Sequence, residues 1–333
     1  MRTDRKKWIF LFGVGAAVIL AAALSLFYGS TRIPAEQVLQ ALENPELTNH
    51  QHLVVLELRI PRTIGCILVG AAFGTAGAIM QGVTGNPLAD SGLLGINAGA
   101  VFALALCLAF WPGLNFSGVV LFSFLGAAGA MAVIYGMMFL KKRRLNPVHL
   151  VLAGSGVSIF LSSLSQAIAI FYNIGYDLTF WTAGGAAGIR GKQLVFAAPV
   201  LVLGLALGLV LSGKISVLSL GEEAARGLGI SVEKTRAFSL LAVLLLAGGA
   251  VALAGPIAFV GLLVPHIARH FLGGDYRFVI PGSLILGAFF MVIADVLSRV
   301  IHAPGETPVG LVFAAVGVPF FLWIVRKEER AID

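Results

Sequence analysis

The chain has 333 residues, of which 58% are hydrophobic and a further 41 are glycine, while only 12% are charged; its mean hydropathy is +0.95. Soluble domains are nearer half apolar and a quarter charged, so a water-soluble enzyme, a disordered chain and a disulfide scaffold are excluded, and one integral membrane domain of many spans is expected. The formal net charge of +7 then reports the orientation of those spans and not nucleic-acid binding.

A helix needs about 20 residues to cross about 30 Å of hydrocarbon. Taken in chain order, the first such run is Trp8 to Tyr28, longer than the apolar core of a cleaved signal peptide and so read as a span. The second, Thr63 to Met80, follows Arg59-Ile-Pro-Arg62, read as outward cations suited to acidic side chains of an extracellular protein. Gly70, Gly74 and Ala78 form a ridge of small residues for close helix packing. Gly85-Asn-Pro-Leu-Ala-Asp90 concentrates helix breakers in a turn before the third run, Leu93 to Trp111. Cys66 and Cys107, the two cysteines, lie inside apolar runs and are read as core residues. Gly118 to Leu140 is the fourth run, and the basic tetrad Lys141 to Arg144 follows it.

The fifth run, His149 to Phe171, carries Ser155, Ser158, Ser162 and Ser165 at spacings of three, four and three, with Gln166 beside them. That spacing draws one hydroxyl stripe down a helix, and in lipid such a stripe faces protein or water. From the residues alone both a helix contact, with hydroxyls bonded to backbone carbonyls, and a water-filled path stay open. A short helical region is expected over 173–192 before the sixth run, Leu194 to Ser212. Residues 219–230 then read as a short amphipathic helical element, with Glu222 and Glu223 early, Arg226 later and Gly229 near its end, a docking surface too short to span. Phe238 to Ala254 and Gly255 to Phe271 are the seventh and eighth runs, and Gly255-Pro256 between them reads as either a tight turn or a kink in one long helix. Phe278 to Ile301 holds Asp295 four residues before Arg299, a pair along one helix face, and Val309 to Val325 completes ten.

With both termini cytoplasmic, 17 of the 23 lysines and arginines fall inside and six outside, in keeping with the positive-inside rule. No residue pattern supports catalysis. Gly208 to Lys214 resembles the start of a phosphate loop but Ile215 stands where a magnesium-binding hydroxyl is needed, and His266 and His270 lack further ligands, so no metal site is expected.

Several stretches in order closely resemble the FecCD family, the permease subunits of ATP-binding-cassette importers for ferric siderophores, haem and cobalamin. They are Leu58-Arg-Ile-Pro-Arg-Thr63, Gly82-Val-Thr-Gly-Asn-Pro-Leu-Ala-Asp-Ser-Gly-Leu-Leu-Gly95, Leu152-Ala-Gly154, Leu218-Ser-Leu-Gly-Glu-Glu223, the run Ala254 to Arg269, Pro308-Val-Gly310 and Pro319-Phe-Phe-Leu-Trp323. The resemblance covers nearly the whole chain. It implies an all-α, ten-span permease in a bacterial cytoplasmic membrane, a single domain over 1–333. The partners implied are a second permease half, two ATPase subunits that hold the ATP and magnesium, and an extracytoplasmic binding protein. By resemblance, Arg59, Arg62 and Arg299 meet acidic residues of the binding protein. Glu222, Glu223, Arg226 and Gly229 belong to coupling helices in the ATPase groove, and the serine stripe with Gln166 lines the path. Asn86 and Leu88, with Asn146 and Pro147, close the cytoplasmic gate. The Asn146-Pro147-Val148 loop departs from the small hydroxylated residues expected of the cobalamin branch, which leaves a ferric siderophore as the expected cargo and haem or cobalamin as alternatives. A proton-coupled secondary carrier, with Asp295 as the coupling acid, is the competing class.

Overall fold

The structure, a computed structural model, describes residues 2–46, 48–140 and 147–329. Among these residues it is built from helices alone. Helix α1 (Arg2–Phe27) leads through α2 (Ala35–Glu43) and α3 (His50–Leu53) into a π-helical turn, Val54–Arg59, that runs on as α4 (Ile60–Thr84). A 3₁₀ turn at Ser91–Leu94 precedes α5 (Ile96–Phe110), followed by α6 (Phe116–Leu140), α7 (Pro147–Phe171), the short α8 (Gly175–Thr182) and the long α9 (Gly191–Leu218). Helix α10 (Glu222–Gly227) stands between α9 and α11 (Val232–Val243). A second π-helical turn, Leu244–Gly248, joins α11 to α12 (Gly249–Ala254), and α13 (Val260–Leu272), α14 (Tyr276–Val300) and α15 (Val309–Glu329) complete the order.

Nine of the ten apolar runs overlap a single helix, and the seventh, Phe238 to Ala254, runs through α11, the second π-helical turn and α12. Among the described residues seven stretches are long and apolar enough to cross a bilayer, while Ile96–Phe110, Val260–Leu272 and Val309–Leu322 are shorter. Local chemistry shortens two of the three. Asp90 accepts a hydrogen bond from the Ser91 amide at 2.8 Å and caps the 3₁₀ turn, so α5 starts only after Gly95, whose φ is +69°. The chain between Ala254 and Val260 is broken at Gly255, with φ +72° and ψ 176°, so Gly255-Pro256 separates two helices and does not kink one.

Helix α4 is the spine. In its most apolar window 83% of the residues are buried, against 17% in each of the windows on α1 and α7. The reason is its small residues: an ideal Cβ on Gly70 would sit 2.2 Å from the Gly287 carbonyl oxygen of α14, and one on Gly287 would sit 2.2 Å from the Gly70 oxygen. Gly74 meets the Ser283 oxygen in the same way, at 2.4 Å. Backbones in such contact admit no side chain, and the dispersion gained along the seam replaces the hydrophobic drive that lipid lacks. Both cysteines are free and buried. Large apolar side chains exposed on α1, α6, α7 and α9, such as Ile19, Leu125, Ile159 and Val210, form the outer surface.

Replacing Gly287 with valine should destabilise the protein by about 3 kcal/mol or more, because no rotamer avoids the α4 backbone. Gly129→Ala, where an added Cβ meets nothing within 4 Å, should stay within about 0.5 kcal/mol of the parent. Thermal unfolding of the detergent-purified variants checks both.

Candidate functional site

Three groups of side chains stand out at the two ends of α4. At its start, the π-helical turn delivers Arg59 and the first turn of α4 delivers Arg62, while α14 brings Asp295 and Arg299 from the other side. The Arg62 guanidinium donates Nε to Asp295 Oδ1 at 2.8 Å and Nη1 to both oxygens of Glu306 at 2.8 and 2.9 Å. Its Nη2 lies 2.8 Å from Asp295 Oδ1, and Arg299 Nη2 lies 2.7 Å from Asp295 Oδ2. Arg299 also donates to the Ser25 hydroxyl at 2.6 Å and to the Ser25 and Tyr28 carbonyls. Arg59 donates to the carbonyls of Leu26, Phe27 and Thr31, where the chain leaves α1.

These contacts correct the expectation that Arg59, Arg62 and Arg299 are exposed outer cations: the three are 4%, 7% and 3% exposed. A guanidinium withdrawn from water has to be matched by acceptors, and here two carboxylates and a ring of backbone carbonyls supply them. The pairing of Asp295 with Arg299 was legible from their i,i+4 spacing, but the second partner, Arg62, and its other carboxylate, Glu306, were not. Asp295 is thereby clamped between two fixed cations.

The second group lies at the far end of α4. Gly85, with φ +64°, ends the helix, and the Asn86 side chain accepts the Leu88 amide at 2.9 Å in an Asx turn. The loop then turns inward: Asp90 packs against α13 so closely that a Cβ on Gly261 would lie 2.2 Å from its Oδ1. Burial pushes the Asp90 carboxyl above its ordinary value, with the Ser91 and Gly92 amides pulling in the other direction. The same loop meets α7, since the Ser158 hydroxyl and the Gly154 carbonyl both lie within 4 Å of a Cβ built on Gly95. The loop holding Asn86 and Leu88 is therefore set against the serine helix. Asn146 lies outside the described residues, and Pro147 opens α7.

The serine stripe is not uniformly exposed. Ser155 and Gln166 are exposed and Ser158 and Ser162 half-buried, whereas Ser165 is 2% exposed and donates to the Leu161 carbonyl at 2.7 Å. The stripe thus straddles the edge between the surface of this chain and its packed interior.

The third group is α10, beside the α4 C-terminal end. Arg236 of α11 reaches Glu222 at 2.7 Å, and Arg226 lies 3.8 Å from Glu222 and 2.6 Å from Glu233. Glu222 therefore helps to fix α10 to α11, while Glu223 has no ion-pair partner among the described residues. Leu220 and Leu228 flank it, 72% and 67% exposed. Gly229, with φ +77°, ends the element. The short helix thus presents to the surface an apolar pair bracketing a carboxylate.

The fold defines a multi-pass helical membrane protein whose polar chemistry is concentrated at the two ends of one buried helix. Residues 17–327 match the FecCD transport family, and the chain belongs to that family. It is 42% identical over 315 residues to the iron(3+)-hydroxamate import system permease protein FhuB of Bacillus subtilis (strain 168), covering 94% of this chain and 82% of that one. It is 42% identical to the Fe(3+)-citrate import system permease protein YfmD of the same organism, over 97% of this chain and 93% of the other. The ferric enterobactin transport system permease protein FepD of Escherichia coli (strain K12) is 40% identical, over 96% and 95%. A solved structure described as an inward-facing conformation of a metal-chelate type ABC transporter superposes with a TM-score of 0.84 at 26% identity, covering 96% of this chain and 99% of that one.

Two outcomes follow from the geometry. Asp295→Asn leaves two buried guanidiniums without their shared countercharge and should cost about 3–5 kcal/mol. Glu306, whose side chain is 31% exposed, should cost under about 1 kcal/mol on replacement by glutamine; thermal unfolding separates the two. For Asp90 the carboxyl in the folded chain binds its proton more tightly than in the unfolded one, so stability falls as pH rises through the window between the ordinary carboxylate value and the raised one. Asp90→Asn should abolish that decline, which unfolding scans across acid pH detect.

Proposed function

We propose that the chain is the membrane-spanning permease subunit of an ATP-binding-cassette importer that carries ferric siderophores across a bacterial cytoplasmic membrane. In this reading ten helices span, both termini are cytoplasmic, and the 17-to-six division of basic residues supports that orientation. The α10 end then faces the cytoplasm and the Arg62–Asp295–Glu306 end faces outward. A second permease half, two ATPase subunits and an extracytoplasmic binding protein complete the importer, with ATP and magnesium held by the ATPases.

The observation that carries the reading is α10, a short helix between two long apolar ones that turns Leu220, Glu223 and Leu228 away from the bundle. Such an element has a use where work is delivered by a partner. Movement of α10 together with α11, to which Arg236 and Glu222 tie it, shifts the balance between outward-open and inward-open packings, as differential binding by the partner requires. Relatives named for hydroxamate, citrate and enterobactin transport support a ferric chelate as cargo. Asn86 and Leu88 act as the inner gate, and the exposed part of the serine stripe with Gln166 borders the path. The binding protein docks at the outer end, where Arg59, Arg62 and Arg299 hold the docking surface in shape from beneath it.

Iron-starved cells lacking the endogenous gene and supplied with this chain should accumulate labelled iron from one class of ferric siderophore. Glu223→Lys and Leu228→Asp should each reduce that uptake by about tenfold or more, at unchanged protein level in the membrane. Uptake at the parental rate in both variants would remove α10 from the coupling role. Uptake of haem or cobalamin alone would keep the importer and change its cargo.

A further inference from the structure

At the outer end a cavity of about 670 Å³ opens between α5, α6, α8 and the start of α15. Its size is that of a small-molecule site, for which 300–1,000 Å³ is ordinary. The space exists because the loop Gly184-Gly-Ala-Ala-Gly188 carries no side chain larger than a methyl group, so that Phe116, Phe180, Trp181 and Leu253 wall a gap that they do not fill. Packing holds that loop in place: the Gly185 amide donates to the Ala254 carbonyl at 2.8 Å, and Gly184, with φ +72°, has the Pro256 carbonyl 2.7 Å from where a Cβ would stand.

Three charged side chains line the cavity, Arg62, Asp177 and Glu306. Every nitrogen of the Arg62 guanidinium already faces a carboxylate, on Asp295 or Glu306. Asp177, in the first turn of α8, has no ion-pair partner among the described residues. Arg190, the first basic residue after the small-residue loop, does not line the cavity and turns to the carbonyls of Ala187 and Ile189. An incoming anion therefore finds no free cation at the wall and one unmatched carboxylate.

We propose that this cavity is a receiving pocket for the iron chelate within the permease itself, and that it takes neutral or cationic chelates with an apolar body, of the trihydroxamate class, in preference to polyanionic ones. The proposal rests on the importer reading and adds a selectivity to it. Three singly charged hydroxamates neutralise ferric iron, and a free amine on the chelator makes the complex a cation. Catecholate and citrate complexes keep a negative charge, which the Asp177 carboxylate on the exposed side of the cavity repels. The aromatic walls accept the methylene backbone of a hydroxamate chelator, and Phe180 and Trp181 offer ring faces to its ammonium arm.

The test uses the full chain in lipid nanodiscs, with Trp8, Trp111 and Trp323 replaced by phenylalanine so that Trp181 alone reports. Ferric trihydroxamates, with and without a free amine, should quench Trp181 emission saturably. Ferric tris-catecholate and ferric citrate should need at least about tenfold higher concentration. Asp177→Lys should reverse that order and Asp177→Asn should narrow it; position 177 is exposed, so folding is preserved. Equal or tighter binding of the polyanions, an order unmoved by Asp177→Lys, or quenching that never saturates overturns the pocket. If cells still import a ferric siderophore through the chain in that event, the importer reading stands and only the pocket falls. The expected order of quenching in a chain that imports no iron would uphold the pocket and sink the importer.

Discussion

Everything in this molecule hangs on the backbone-to-backbone seam between α4 and α14. Lipid offers helices no hydrophobic reason to associate, so close contact has to come from shape, and Gly70, Gly74 and Gly287 provide it. Once that seam is set, its two ends follow. Arg62 is brought opposite Asp295 at one end, and Gly82 is brought against Tyr276 at the other. The loop that leaves α4 then lies where Asp90 can dock on α13 and Gly95 can rest near Ser158.

The charges follow from that geometry. At the start of α4, Asp295 and Glu306 pair with Arg62 and Arg299 while backbone carbonyls take Arg59, and these contacts hold α1, α4, α14 and the turn before α15 together. Asp295 is the acid that a proton-coupled carrier would need, and it is held between Arg62 and Arg299 by two short ion pairs, an arrangement that favours a structural part. At the other end, α10 is bound to α11 through Glu222 and Arg236 and leaves Glu223 and two leucines facing outward. The buried charges at the Arg62 end are thus satisfied within the chain, whereas the α10 end leaves an exposed carboxylate and two leucines for a partner.

Much of the fold was legible in the residues, because a helix in lipid must be written as an apolar run and ten such runs stand in the chain. The glycine ridge of α4 and the Asp295–Arg299 spacing were equally plain. The arginines misled because exposure was inferred from their place at a span's edge, whereas the partners of Arg62 lie 233 and 244 positions away and no local spacing points to them. The serine stripe follows one side of α7, but spacing alone does not say where that side meets a packing boundary, and Ser165 falls on the buried side. Asp90 sat in a run recognised as helix-breaking; its capping of Ser91 was available from the Asp-Ser-Gly order, its contact with Gly261 was not. The outer cavity left no trace at all, since five small residues in a row become an opening only once Phe116 and Leu253 surround them.

The most direct measurement is transport in liposomes that hold the purified chain with its ATPase and binding-protein partners. Ferric siderophore uptake should require ATP on the ATPase side and persist at the same rate when an ionophore collapses the proton gradient. Uptake driven by an imposed proton gradient without ATP, and lost in Asp295→Asn, would contradict the central claim that energy enters through α10 and not through the buried acid.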